Sequence, residues 1–145
     1  MSAAVSQPSG WTPLGATVNT QYFVGAAPDV LIVVPEAGAV DDEASARANL
    51  AFQVAFARKL GRPAATVVLL SRLAGQDAGA RRVYAAGMDP GIFFGTALIV
   101  SNGLSRAIGS FFLGLARPPI PTRLHDSYER ALTWLDSIRT ASVRP

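Results

Sequence analysis

Two short polar turns hold most of the chemistry this sequence offers, because each stands where an apolar run ends. Ser101-Asn102-Gly103 closes the run Thr96–Ser101 and opens a stretch with helical spacing, while Ser71-Arg72 follows the run Ala65–Leu70. Backbone N–H groups at a helix start attract anions, and Ser101 and Asn102 add side-chain donors. If the two runs are neighbouring strands, Ser71, Arg72, Ser101, Asn102, Gly103 and Arg106 meet on one rim at the carboxyl ends of the strands, where sheets of this kind usually hold ligands. Ordinary helix capping by Ser101 or Asn102 is the competing account. The chain carries neither a P-loop nor a dinucleotide-binding glycine fingerprint, so no nucleotide motif supports the rim.

Proton transfer near neutral pH would fall to His125, the single histidine. Asp126 and Ser127 follow it, but residues adjacent on a strand-to-helix turn point apart and make no triad by sequence alone. A surface histidine at a strand end is the plainer reading. Asp41, Asp42 and Glu43 stand at a helix start, where capping and the helix dipole account for them. Asp77, Asp89 and Asp136 are isolated, so neither a paired-carboxylate hydrolase nor a magnesium site is expected. There are no cysteines, which excludes disulfides, thiol catalysis and zinc–thiolate sites. No cofactor and no metal are expected, and the chain is read as non-enzymatic.

Charge narrows the partners. The net charge is +3, carried by twelve arginines and one lysine spread over the helices and their joints. They form no stripe of the kind that tracks a phosphate backbone, so nucleic acid is not an expected partner. No uncharged apolar run of about 18 residues exists, so no membrane span is expected. Met1–Pro13 lacks the basic and apolar regions of a signal peptide and reads as a flexible leader. A cytoplasmic, soluble protein is the expectation.

At 145 residues the chain has the length of one domain, assigned to residues 14–141. Leu14–Phe23 and Asp29–Pro35, joined by Gly25-Ala26-Ala27-Pro28, read as an antiparallel hairpin. Asp42 to Leu60 runs without proline or glycine and presents Leu50, Phe52, Val54, Phe56, Ala57 and Leu60 as a broad apolar face. Gly61 caps it in the left-handed conformation, with Pro63 beyond. Ala65–Leu70 is uniformly apolar, as in a strand buried on both faces. Ala74–Ala86 reads as a weaker helix and Met88–Gly95 as a loop. Leu104 to Leu115 repeats apolar residues at helical spacing until Pro118, Ile120–His125 is extended, and Asp126 to Glu129 opens a last helix as a capping-box-like start. Trp11 falls in the leader. Phe93, Phe94, Phe111 and Phe112 form either core or an exposed partner patch.

The order β-β-α-β-α-β-α-β-α predicts a small mixed α/β sheet of four to five strands with four helices, the first hairpin antiparallel and the remaining strands parallel. The first hairpin carries no lysine and only Asp29 as charge, so pairing between two copies is not discouraged and a homodimer is a further expectation.

The stretch Gly95 to Leu135 resembles bacterial STAS-like, SpoIIAA-like small proteins. It carries Ser101-Asn102-Gly103, the pair Phe111-Phe112, the proline-flanked strand before His125, and Ala131, Leu132, Trp134 and Leu135 in the last helix. The element order agrees over roughly residues 15 to 140. The resemblance implies a STAS-like fold and a regulatory module that binds a protein partner, as anti-sigma-factor antagonists do. In those antagonists a partner kinase phosphorylates a serine or threonine after the strand corresponding to Ala65–Leu70. Here the segment reads Leu70-Ser71-Arg72-Leu73-Ala74 without their Asp-Ser pair, so Ser71 alone carries over as interaction residue or phosphosite, with Arg72 beside it. The alternative function is a small anion- or nucleotide-binding receptor using the edge near Ser71 and Ser101.

Overall fold

A computed structural model describes residues 10–103, 105–108 and 120–143, with the side chains of 141–143 left aside. The strands are β1 (Thr12–Ala16), β2 (Thr20–Val24), β3 (Val30–Pro35), β4 (Ala39–Asp41), β5 (Ala64–Leu69), β6 (Leu73–Gln76), β7 (Phe93–Ile99) and β8 (Thr122–His125). The helices are α1 (Glu43–Leu60), α2 (Ala78–Gly87) and α3 (Tyr128–Val143), with a 3-10 turn at Leu70–Arg72 and helical backbone at 103 and 105–108. Among the described residues no helix is long and apolar enough to cross a membrane.

Six strands form one mixed sheet in the order β1-β2-β3-β5-β7-β8, and β4 pairs with β6 in a separate two-stranded sheet. The hairpin partners β2 and β3 are antiparallel, and β3, β5, β7 and β8 run parallel, as the helical crossovers require. The strand count exceeds the four to five expected, for two reasons. Leu14–Phe23 is not one strand: Thr17 N–H bonds the Thr20 carbonyl and turns the chain back, so β1 starts at Thr12 and pairs antiparallel with β2. Trp11 accordingly packs 5.8 Å from Phe23 and edge-on at 5.1 Å from Tyr128. Ala74, Gly75 and Gln76, read as the start of a helix, belong instead to β6 with Leu73, because Ala39–Asp41 offers them a parallel partner and the helix begins only after Asp77 caps Ala80 N–H. Likewise Phe93 and Phe94 belong to β7 and not to a loop. The expected helix from Leu104 is seen at 105–108; its continuation, with Phe111 and Phe112, lies outside the described residues.

Alternation along the strands sorts the core into two layers. One face presents Tyr22, Leu31, Val33, Val68 and Leu98 to α1 and α2, and the other presents Val67, Ala97 and Ile99 to Ala131, Leu135 and Ile138 of α3, with Phe23 and Ile32 against Tyr128 and Trp11. α3 lies close because Gly95 has no side chain: a Cβ there would meet Ile138 Cδ1 at 2.6 Å. Gly61 ends α1 at φ 79°, the left-handed cap expected. Asp42 starts it, taking Ser45 N–H at 2.8 Å while Ser45 Oγ accepts Asp42 N–H at 2.9 Å. The Ser45 N–H first, and then the Ser45 side chain, hold the Asp42 carboxyl below its ordinary range. At the start of α3 the cap is Ser127, whose Oγ accepts Arg130 N–H at 3.2 Å, and not Asp126, which pairs at 3.5 Å with the Arg130 side chain.

Candidate functional site

The adjacency on which the rim depends is present. β5 and β7 pair in parallel with Val67 opposite Ala97 and Leu69 opposite Ile99, so Ser71-Arg72 and Ser101-Asn102 leave neighbouring strands at the same edge. What the rim residues do there is mainly structural. Arg72 Nε donates to the Pro35 carbonyl at 2.6 Å, and Gly38 N–H bonds the Arg72 carbonyl at 3.0 Å, tying the 3-10 turn to the end of β3. Ser71 is half-buried in that turn. Asn102 Oδ1 accepts Ser105 N–H at 2.7 Å, and Ser105 Oγ accepts the N–H groups of Ser101 and Asn102 at 3.1 and 3.2 Å. Those are the backbone donors an anion would need. Ser101, Asn102, Gly103 and Arg106 remain exposed.

His125 is not an open surface histidine. Its ring sits 5.3 Å from Trp134, and Nε2 is buried with no hydrogen-bond partner among the described residues. Burial first, then the positive charge of Arg123, lowers its pKa, with Asp126 opposing. The folded state therefore resists taking up the proton that the unfolded chain accepts near pH 6.5. Stability is then fully present above that value and falls as pH drops through it toward the lower folded pKa. His125→Phe should flatten the pH dependence of urea midpoints between about pH 7 and 5; an unchanged slope would assign the dependence to other groups.

The densest set of buried polar side chains lies elsewhere, between the sheet and α1. Asp41, at the end of β4, is 4% exposed. Its carboxylate accepts the Tyr84 hydroxyl at 2.5 Å, Asn19 Nδ2 at 3.3 Å, and the Ser45 hydroxyl in a very short bond. Asn49, 2% exposed, is the hub beside it: Oδ1 accepts from Tyr22 at 2.9 Å and from Thr17, while Nδ2 donates to Asn19 and Tyr84. Burial pushes both tyrosine hydroxyls far above their ordinary pKa, Tyr84 helped next by the Asp41 charge, so both stay protonated donors. On the sheet Thr66 donates to Thr96 at 3.2 Å, two buried threonines side by side on the same face.

These groups border a cavity of about 60 Å³, lined on its apolar side by Val33, Val68, Leu70, Leu98 and Ile108 and on its polar side by Asp41, Gln53, Gln76 and Tyr84. Gln76 Oε1 is buried with no hydrogen-bond partner among the described residues. By sequence Asp41 reads as helix-start charge, and the cavity is not evident. One pattern pointed to it: Ser45, Asn49 and Gln53 recur every four residues, a polar stripe inside an otherwise apolar helix, and they face inward. Among the described residues no group of three or more histidines and carboxylates could hold a metal ion.

A family model described as a domain of unknown function (DUF7793) matches residues 28–139. No curated protein sequence matches. A solved structure of an uncharacterised protein of the DUF3478 family with a SpoIIAA-like fold, from Shewanella loihica, superposes with a TM-score of 0.54 at 14% identity. It covers 92% of this chain and 99% of its own, so the two share the fold.

Proposed function

We propose, for a chain that belongs to the DUF7793 family and has a SpoIIAA-like fold, that it works as a non-enzymatic regulatory module, binding a protein partner at the rim that carries Ser71, Arg72, Ser101, Asn102 and Arg106. The observation that carries this reading is the state of the rim: Ser101, Asn102 and Arg106 stand exposed and Ser71 half-buried on turns that are tied to their neighbouring strands by Arg72 and by the Asn102–Ser105 cap. A fixed, solvated polar surface suits docking, where little order need be gained on association. His125 adds support, since among the described residues no hydroxyl or carboxylate is bonded to its buried Nε2.

Phosphorylation of Ser71 would place about −1.5 to −2 charges next to Arg72. Immobilised wild type, Ser71→Asp and Arg106→Glu proteins, each checked for an unchanged circular dichroism spectrum, are compared for partner recovery from cells that make the protein. Arg72 is left intact because its bond to Pro35 is structural. Each substitution should cut recovery about tenfold, the size of a lost contact near 1.4 kcal/mol; equal recovery from all three would move the docking surface off this edge.

A further inference from the structure

We propose that the cavity between the sheet and α1 is a binding site for a short primary alkylammonium ion, its charge on Asp41 and its carbon tail on the sheet. Each part of that occupant answers a feature of the walls. An ionised carboxylate offers about four acceptor positions, and the protein fills three of Asp41's, from Ser45, Tyr84 and Asn19. All three donors are neutral. Among the described residues Asp41 enters no ion pair, and a buried charge is costly without a partner.

Gln76 stands opposite Asp41 in the β4–β6 register, borders the same cavity, and leaves Oε1 as a second open acceptor. Two neighbouring acceptors, one of them charged, call for an occupant that is cationic and donates more than once. A primary ammonium brings three donors and no acceptor. A neutral alcohol brings one donor and no charge. The opposite wall, Val68, Leu70, Leu98 and Ile108, accepts only carbon. At about 10–15 Å³ per water the space holds roughly four to six waters, so an ammonium with a tail of about two or three carbons fits within it.

The test is a titration of ¹⁵N-labelled protein with methylammonium, ethylammonium and propylammonium chloride, with ethanol, propanol and sodium chloride as controls. Saturable amide shifts centred on Asp41, Tyr84 and Gln76 are expected for ethylammonium or propylammonium, and none of that pattern from the alcohols or the salt. Asp41→Asn keeps the shape and removes the charge, and should weaken binding at least about tenfold. Val68→Ile adds one methylene from the apolar wall, away from the polar groups, and should abolish the shifts while raising the melting temperature. No saturable shift in wild type, equal response to the alcohols, or unchanged affinity in both variants would overturn the proposal and leave the space to water. Should Asp41→Asn fail to fold, Val68→Ile decides alone. The outcome is independent of partner recovery at the rim, so failure of either reading leaves the other standing.

Discussion

Replacing Arg139 by alanine should be the most damaging single change at a charged residue, lowering stability by about 3–5 kcal/mol. Asp29 sits at the turn between β2 and β3 and its side chain is only 6% exposed. Arg139, near the end of α3, meets it with two bonds, Nε to Oδ2 at 2.7 Å and the second guanidinium nitrogen to Oδ1 at 2.8 Å. The same guanidinium lies 5.3 Å over the Phe94 ring and bonds Asp136 at 2.7 Å. Removing the arginine leaves a desolvated carboxylate with no other ion-pair partner among the described residues, which is the expensive half of the pair to orphan. Asp29→Ala should cost less, because Arg139 is 27% exposed and keeps Asp136 and Phe94. The order is therefore Arg139→Ala worse than Asp29→Ala, with the double variant close to the milder single one because it removes the orphaned carboxylate. Urea unfolding at 25 °C measures it. A loss under about 1 kcal/mol for Arg139→Ala would place the pair among surface ion pairs of little consequence.

That pair also marks where sequence reading stops. The two residues lie 110 positions apart and carry no local pattern, so Asp29 passed for the lone charge on an exposed hairpin edge when it is buried under α3. Local features fared better. The apolar runs at Ala65–Leu70 and Thr96–Ser101 are central parallel strands, and Gly61 ends α1, because each depends on residues within one turn or strand. β1, β4 and β6 were missed since their pairing is decided by partners elsewhere: Gly75 and Gln76 have no strand propensity of their own, and Leu73–Gln76 is extended because Ala39–Asp41 bonds it. On the rim, the topology was legible and the hydrogen bonding was not. Asn102 sits where it was expected, yet its bonds with Ser105 depend on a residue no motif singled out. The polar cavity was legible only as the spacing of Ser45, Asn49 and Gln53, which apolar neighbours at Leu50, Phe52 and Val54 concealed.

The buried stripe itself carries the second large effect. Asn49→Ala should cost about 3 kcal/mol or more, although it removes fewer atoms than many core truncations of that size. Its Oδ1 is the acceptor for the hydroxyl of Tyr22, which is fully buried and stacks at 4.0 Å on Phe52. Without Asn49 that hydroxyl keeps only a long bond to the Asn49 carbonyl at 3.3 Å, alongside its contact with Gln53. The Nδ2 group lost with it serves Asn19 and Tyr84 at 3.0 and 3.2 Å, so β2, α1 and α2 each lose a tie at one point. A typical intramolecular hydrogen bond is worth about 0.5–1.5 kcal/mol net, and the bonds to Thr17, Tyr22, Asn19 and Tyr84 are all lost here. Asn49→Asp should be as harmful for a different reason: it removes the donor and sets a second carboxylate beside Asp41, joined to it through Tyr84. The two causes separate by pH. Acidifying from about pH 7 to 5 should recover stability in Asn49→Asp as the added carboxyl takes up a proton, and should recover none in Asn49→Ala. Urea midpoints that shift alike in both variants across that range would mean that cavity formation, and not the satisfaction of polar groups, sets the cost.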